Sequence, residues 1–147
     1  MTEETVHVRG GKVELCHELV GDPSGPVMVL VNGLGGQLVD WDERLLTALR
    51  DAGLATLRFD NRDAGLSSAG DEKFGFDPEA VGRRDRSAIA YGLEDLAGDV
   101  VELLDALDIA DLRSSHTFIG AAIPRCCPSG IPRCCPSRRL APDAGVG

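Results

Sequence analysis

The chain has 147 residues, of which 43% are apolar, so it is long enough for one globular domain and too short for several. No apolar run reaches the roughly 18 residues that a membrane-spanning helix needs, and we expect no membrane contact. The N-terminal sequence Met-Thr-Glu-Glu is acidic and lacks the apolar core of a signal peptide. These features predict a cytoplasmic protein.

The net charge of −9 is distributed unevenly along the chain. Residues 1–112 carry 10 basic and 23 acidic side chains, whereas residues 113–147 carry five arginines and one aspartate. An acidic body with a basic tail is one pattern of anion-binding or nucleic-acid-binding proteins. The alternative is that the tail is no part of the domain. Because no aromatic residue follows Phe118 to stack on a base, we expect no nucleic-acid partner.

The first predicted elements are two strands, Thr5–Val8 and Val13–Val20, joined by a turn at Gly10 and Gly11. In the second strand every other position suits a half-buried antiparallel strand: Val13, Leu15, His17 and Leu19. After a loop, Val27–Val31 is a run of five apolar residues. Such a run predicts a central parallel strand that is buried on both faces.

A helix is predicted to begin at Asp40, with Glu43 in the position of a capping box. Its apolar stripe is Leu45, Leu46 and Leu49. Gly53 ends the helix, where a left-handed residue is favoured.

The next strand is Ala55–Phe59, and residues 63–90 have no period, which predicts a long loop. Leucines and valines at three- and four-residue spacing then predict an amphipathic helix over residues 92–108. Thr117–Ile119 is a candidate for the following strand. An antiparallel hairpin, parallel strands and flanking helices together predict an α/β fold.

Two segments carry a resemblance to a known family. Val27–Val31 runs into Asn-Gly-Leu-Gly-Gly, and the segment from Arg58 to Ser67 reads Arg-Phe-Asp-Asn-Arg-Asp-Ala-Gly-Leu-Ser. With the Tyr91-Gly-Leu-Glu-Asp-Leu segment, they resemble the α/β-hydrolases, within the ester-hydrolase branch that includes aclacinomycin methylesterase-like proteins. The resemblance covers residues 1–120 and implies the N-terminal half of that sheet. It also implies serine acyl transfer on a small hydrophobic ester without a cofactor.

The resemblance assigns the loop after Val31 to one half of an oxyanion hole. A backbone N–H fixed toward the developing oxyanion stabilises it by about 3 kcal/mol, and glycine lets the backbone approach closely. The donor is expected to be the N–H of Leu34. The residues of this loop are Asn32, Gly33, Leu34, Gly35 and Gly36. The alternative is a glycine-rich turn that only connects a strand to a helix.

The second segment is expected to be structural. By resemblance, its polar and small residues hold the turn after the fourth strand and do not belong to the catalytic triad; the alternative for Asp60 and Arg62 is a contact with the substrate. These residues are Asp60, Arg62, Gly65 and Ser67. Ser67 or Ser68 as a replacement nucleophile has no base nearby in the sequence.

The triad itself is missing from this chain. The family's nucleophile lies on a Gly-x-Ser-x-Gly turn, and no such motif occurs here. At the expected position Gly120 is followed by Ala122 and Pro124, and alanine has no atom that can attack an ester. The three histidines, His7, His17 and His116, precede this position and so do not fit the family order of serine, acid and histidine.

Residues 121–147 form a predicted low-complexity tail that is disordered or extended. Within it, Ala122–Ser129 is followed at once by a near copy, Gly130–Ser137, with a proline every four residues. Four of the five cysteines lie there as two adjacent pairs, which do not fit the usual zinc spacing, and we expect no metal. Cys16 is expected to be a buried, inert thiol.

Two origins remain open for this ending: a displaced reading frame near Leu112–Ser115, or a diverged pseudoenzyme. Loss of the later strands would leave Val27–Val31 at the edge of the sheet, where an apolar strand promotes aggregation. The sequence therefore predicts a hydrolase-derived chain that is inactive and marginally soluble. The competing hypothesis is a non-catalytic module that binds a partner through the sheet edge or the basic Cys-rich tail.

Overall fold

The computed structural model describes residues 3–33, 35–68, 79, 82–83, 85, 91–109 and 112–116, the last of these as backbone. Within these residues, the elements with defined bounds are the strands of one sheet and two α-helices. The strands are β1 (Glu4–Val8), β2 (Val13–Val20), β3 (Val27–Val31), β4 (Ala55–Phe59) and β5 (Leu112–His116). The helices are α1 (Glu43–Asp51) and α2 (Leu93–Ala106).

The sheet has the order β1-β2-β4-β3-β5. Strand β2 pairs antiparallel with both β1 and β4, whereas β3 pairs parallel with β4 and β5. An antiparallel hairpin therefore adjoins a parallel sheet, as the sequence predicts.

The hairpin turn between β1 and β2 is tight and strained. Val8 pairs with Val13, and the intervening Arg9, Gly10 and Gly11 all have positive φ, of 57°, 65° and 88°. Glycine adopts this region without steric cost, so the two glycines make the turn possible. The predicted alternation along β2 holds only through Leu15, because from Cys16 to Glu18 both faces of the strand are buried.

Strand β3 lies inside the sheet, which confirms the prediction of a central parallel strand. The expected exposure of this strand at the sheet edge, which follows only if the later strands are missing, does not occur, because Val27 to Val31 pair residue by residue with Leu112 to His116. The strand after α2 is thus Leu112–His116. The predicted strand Thr117–Ile119 lies outside the described residues, as does the tail.

Helix α1 begins later than the sequence predicts. Asp42 is its N-cap and accepts a hydrogen bond from the Arg44 backbone N–H at 2.8 Å. Asp40 instead closes a short 3-10 turn, Leu38–Asp40, by accepting from the Gln37 N–H at 2.7 Å. The predicted capping box of Asp40 with Glu43 is therefore wrong.

The C-terminal end of α1 agrees with the prediction, whereas its apolar stripe agrees only in part. Gly53 follows the helix with φ of 78°, as predicted. Of the predicted stripe, Leu46 is buried and Leu49 half-buried, whereas Leu45 is exposed. The short helix contacts β4 along a narrow face, so it buries only part of that stripe.

Helix α2 covers the opposite face of the sheet and confirms the predicted amphipathic helix. Its buried apolar residues are Ala97, Val100, Leu103 and Leu104, and they pack in one cluster with residues of all four N-terminal strands. Burial of a leucine side chain such as Leu103 stabilises a fold by about 2 kcal/mol. This cluster is the main core of the described fold.

Candidate functional site

The candidate site lies at the carboxyl ends of β3 and β4, which are neighbouring parallel strands. The loop after β3 begins at Asn32, and the turn after β4 begins at Asp60. Parallel strands bring such loops to the same edge of the sheet, where ligand sites of open α/β sheets form.

The β3 loop is folded back on itself by short hydrogen bonds. The buried Asn32 side chain donates from Nδ2 to the Gln37 carbonyl oxygen at 2.6 Å, and the Gly36 N–H donates to the Gly33 carbonyl oxygen at 3.2 Å. Gly35 has φ of 72°. A Cβ on Gly36 would lie 3.1 Å from Asn32 Cβ, so the side-chain bridge leaves little room for a larger residue.

The structure thus brings together four of the five predicted oxyanion-loop residues. The fifth, Leu34, carries the expected donor N–H and lies outside the described residues. The structure describes the loop residues on either side of this donor. The catalytic role of the Leu34 N–H stays a prediction.

Asp60 is the main polar centre of the site. Its side chain is buried, with Asp60 only 2% exposed. One carboxylate oxygen, Oδ1, accepts from the Leu38 N–H at 2.6 Å, and the other, Oδ2, accepts from the Leu66 N–H at 2.9 Å. Hydrogen bonds to a carboxylate are stronger than those between neutral groups, so these two bonds hold two chain segments firmly.

The rest of the turn packs closely on Asp60. Gly65 has φ of 52°, and a Cβ at this position would collide with the Asp60 carboxylate. The Ser67 hydroxyl donates to the Asp60 carbonyl oxygen at 2.7 Å and accepts from the Cys16 N–H at 2.8 Å. Because this hydroxyl is buried and used in both bonds, its geometry is that of a structural group and not of an attacking one.

Arg62 points away from the two loops and toward α2. Its Nε and Nη2 donate to the two oxygens of Asp99 at 2.6 and 2.5 Å, and both residues are buried. Its guanidinium also lies over the Tyr91 ring, 4.9 Å from the centroid, within the range of a cation–π contact. Arg9 donates from Nε to the same Asp99 at 3.0 Å. Arg62 thus fixes α2 to the turn after β4.

Two pKa shifts follow from this packing. Burial raises the pKa of the Cys16 thiol, and the negative charges of Asp60 and Glu3 raise it further, so the thiol stays protonated. This agrees with the predicted inert cysteine. Burial, together with the Asp63 carboxylate that accepts from the phenol at 3.2 Å, raises the pKa of Tyr91 to about 12, and the positive charge of Arg62 opposes part of this shift.

A second buried ion pair was not predicted. Arg58 on β4 donates from Nε to Glu18 on β2 at 2.6 Å, and its Nη1 lies 3.4 Å from Glu43 at the start of α1. Glu18 and Arg58 are direct register partners, and both are buried. Opposite charges inside two apolar strand sequences are the signal that could have revealed the pair.

By backbone register, two of the three histidines lie at this edge of the sheet, because His17 pairs with Phe59 and His116 pairs with Val31. His7 lies 3.7 Å from Glu14 on the exposed side of the hairpin, whereas His17 is a core residue and its Nδ1 has no hydrogen-bond partner. His116 is described as backbone only, at the end of β5. Ala122, at the expected nucleophile position, lies outside the described residues.

In the part of the chain that the structure describes, no group of three or more His, Cys, Asp or Glu side chains is placed to hold a metal ion. Neither α1 nor α2 is long and apolar enough to cross a membrane.

Comparisons with known proteins give consistent relatives, although no family model matches the chain. Rhodomycin D methylesterase DauP of Streptomyces sp. (strain C5) is 30% identical over 105 residues, which are 71% of this chain and 30% of that protein. Rhodomycin D methylesterase DnrP of Streptomyces peucetius is 28% identical over 109 residues, 74% of this chain and 31% of that protein. The chain thus spans less than a third of the length of these curated relatives.

Solved structures agree with the sequence relatives. The crystal structure of the enol-lactonase from Burkholderia xenovorans LB400 matches with a TM-score of 0.61 and 29% identity. The match covers 82% of this chain and 39% of that enzyme. The described fold is therefore the one that such hydrolases carry in their N-terminal part, and the predicted fold class is confirmed.

Proposed function

The chain belongs to the α/β-hydrolase superfamily as the N-terminal part of its fold, and from that premise we propose that it derives from a serine ester hydrolase without itself hydrolysing esters. The substrate class of this lineage is a small hydrophobic ester, and no cofactor is needed. The relatives named as methylesterases support a methyl ester as the substrate, with methanol as the leaving group.

One contrast carries the proposal. The β3 loop keeps the glycines and the Asn32 bridge that would hold an oxyanion donor, while the elbow position holds Ala122 and no Gly-x-Ser-x-Gly occurs in the chain. An oxyanion donor stabilises a charge that only nucleophilic attack creates. Without the serine hydroxyl, that charge does not form on the substrate.

Hydrolysis by the purified full chain tests this proposal. We expect p-nitrophenyl acetate, p-nitrophenyl butyrate and an aromatic methyl ester to be hydrolysed at the rate of buffer alone. The matched variant is Gly33→Trp, which would fill the β3 loop. Saturable hydrolysis that Gly33→Trp abolishes would show a working site and would contradict the proposal.

We further propose that residues 113–147 arise from a displaced reading frame. The change in charge, the loss of helical periodicity and the proline-cysteine repeat support this origin. The predicted junction, Leu112–Ser115, falls within β5, which pairs with β3 along its whole length. A junction there therefore retains the backbone of this strand.

A non-catalytic binding module is the second proposal, and the sheet edge supports it. Among the described residues, β5 pairs with β3 on one side and with no strand on the other. An open strand edge is a template for another chain, so β5, and not β3, is the edge that we expect to aggregate or bind. Zinc-dependent ordering of the tail cysteines would favour the module instead of an inactive remnant, as would a monomer that forms a defined complex.

A further inference from the structure

We infer that Asp60 is a positioning residue that couples the β3 loop to the turn after β4, so that the two segments move as one unit. The sequence resemblance predicts a role for Asp60 in the turn after β4, and it predicts no bond to the β3 loop. Any effect of this coupling on catalysis depends on the proposed role of the β3 loop as an oxyanion loop. The coupling itself is a property of the fold and does not depend on that role.

The first link is the carboxylate. Its two oxygens are divided between two segments, with Oδ1 on the Leu38 N–H and Oδ2 on the Leu66 N–H. Leu38 begins the 3-10 turn that ends the β3 loop, and Leu66 lies in the turn after β4. A rigid, planar group bonded to both cannot rotate to improve one bond without weakening the other.

A second link runs beside the first. Asn61 donates from Nδ2 to the Asn32 carbonyl oxygen at 3.3 Å, and the Asn32 side chain donates to the Gln37 carbonyl oxygen at 2.6 Å. The turn after β4 is thus connected to both ends of the β3 loop. Coupling in proteins is carried by contiguous contacts of this kind, provided that each has few alternative arrangements.

Gly65 offers a way to disturb one segment and observe the other. The Gly65 backbone is left-handed, and a Cβ at this position would collide with the Asp60 carboxylate. Gly65 is 27 positions from Leu38 in the sequence, so an effect on Leu38 must pass through the fold. A methyl group at this position therefore pushes the carboxylate away from its bond to the β3 loop. Gly53 is a matched control, because it is also left-handed, with φ of 78°, but a Cβ there meets nothing within 4 Å.

Amide hydrogen exchange of the full chain measures the coupling. In Gly65→Ala we expect the amides of Gly36 and Leu38 to exchange at least about tenfold faster. The bond from the Leu38 N–H to Asp60 weakens directly, and the bond from the Gly36 N–H to Gly33 weakens because it lies in the same loop. Gly53→Ala should leave them unchanged, and the strand amides of Val29 and Leu57 should stay protected in both variants. Faster exchange confined to residues 64–67 would overturn the inference.

A second variant covers the case in which Gly65→Ala does not fold. Asp60→Asn keeps the side-chain volume but leaves one acceptor oxygen and removes the charge, so one of the Leu38 and Leu66 amides loses its acceptor and the other keeps a weaker one. If the two segments are coupled, both amides should lose protection. Loss at Leu66 alone, or equal loss throughout β3 and β4, would contradict the inference. These readouts need no turnover, so a failed ester assay and a failed coupling test remain distinguishable.

Discussion

Two buried aspartates of this chain have the same chemistry and nearly the same exposure, yet they hold different kinds of partners. Asp60 binds two backbone N–H groups from separate loops, whereas Asp99 binds the guanidinium groups of Arg62 and Arg9. Backbone donors are fixed in the chain, so Asp60 sets the positions of loops. Arginine side chains reach across the fold, so Asp99 fixes a helix to the sheet and the hairpin.

The largest effect is expected when Asp99 is removed. Asp99→Ala takes the bidentate partner from Arg62, whose side chain is 1% exposed, and a buried charge that loses its partner costs about 3–5 kcal/mol. Urea unfolding should report a loss of this size. The control is Asp105→Ala, an exposed position on the same helix, which should change the unfolding free energy by about 0.5 kcal/mol or less. Equal losses in the two variants would contradict the assignment.

Asp60→Ala should cost less, about 2–3 kcal/mol, because the groups left without an acceptor are neutral N–H groups and not a charge. The same unfolding experiment measures it. Asp40→Ala is the comparison, since that exposed carboxylate also accepts one backbone N–H, from Gln37. If Asp60→Ala and Asp40→Ala are equally mild, Asp60 does not hold the two loops.

Arg9 and Arg62 both bind Asp99, but Arg9 is the more exposed of the two. Its side chain is 33% exposed, and a partly solvated pair contributes about 1 kcal/mol or less. Arg9→Met should therefore lower the unfolding free energy by this amount at low salt and by less at high salt, because ions screen the pair. Arg44→Met, at a side chain that is 91% exposed, should have a smaller effect at either salt concentration. A salt-independent loss would show that Arg9 acts through packing alone.

Tyr91 gives the smallest signal but a specific one, because it is the only tyrosine in the chain. Its pKa is raised to about 12 from 10.0, so the native state favours the protonated phenol. The resulting stability is complete below pH 10 and is lost as the pH rises through about 12.

Tyrosinate absorbance should show the Tyr91 titration directly. Asp63→Asn should lower the midpoint toward 10, since it removes the nearby negative charge. The chain unfolded in urea provides the reference. A native midpoint equal to that of the unfolded chain would show that Tyr91 is neither buried nor close to the Asp63 carboxylate.

Elements with a strong local pattern could be predicted from the sequence. Val27–Val31 is apolar throughout, and α2 has a clear three- and four-residue period, so each specifies its own structure. The start of α1 could not be fixed in the same way. Asp40 and Asp42 are both good caps, and only the extended backbone of Trp41 between them decides which one begins the helix.

Strand β5 was missed because its sequence, Leu-Arg-Ser-Ser-His, has no apolar pattern. It is a strand because the edge of β3 offers it parallel hydrogen bonds, which no local signal records. The site shows the same limit. The residues of the β3 loop could be named from their glycines, but the bond from Asp60 to Leu38 joins positions 22 apart and depends on the folded sheet.

The nucleotide sequence that encodes residues 106–147 tests most directly whether a hydrolase elbow has been displaced from this chain. We expect one of the other two frames to continue with a strand, a Gly-x-Ser-x-Gly turn and a helix. The function would then belong to the restored product. If no frame encodes that turn, Ala122 is native to the elbow position, and the proposal of a displaced reading frame is wrong.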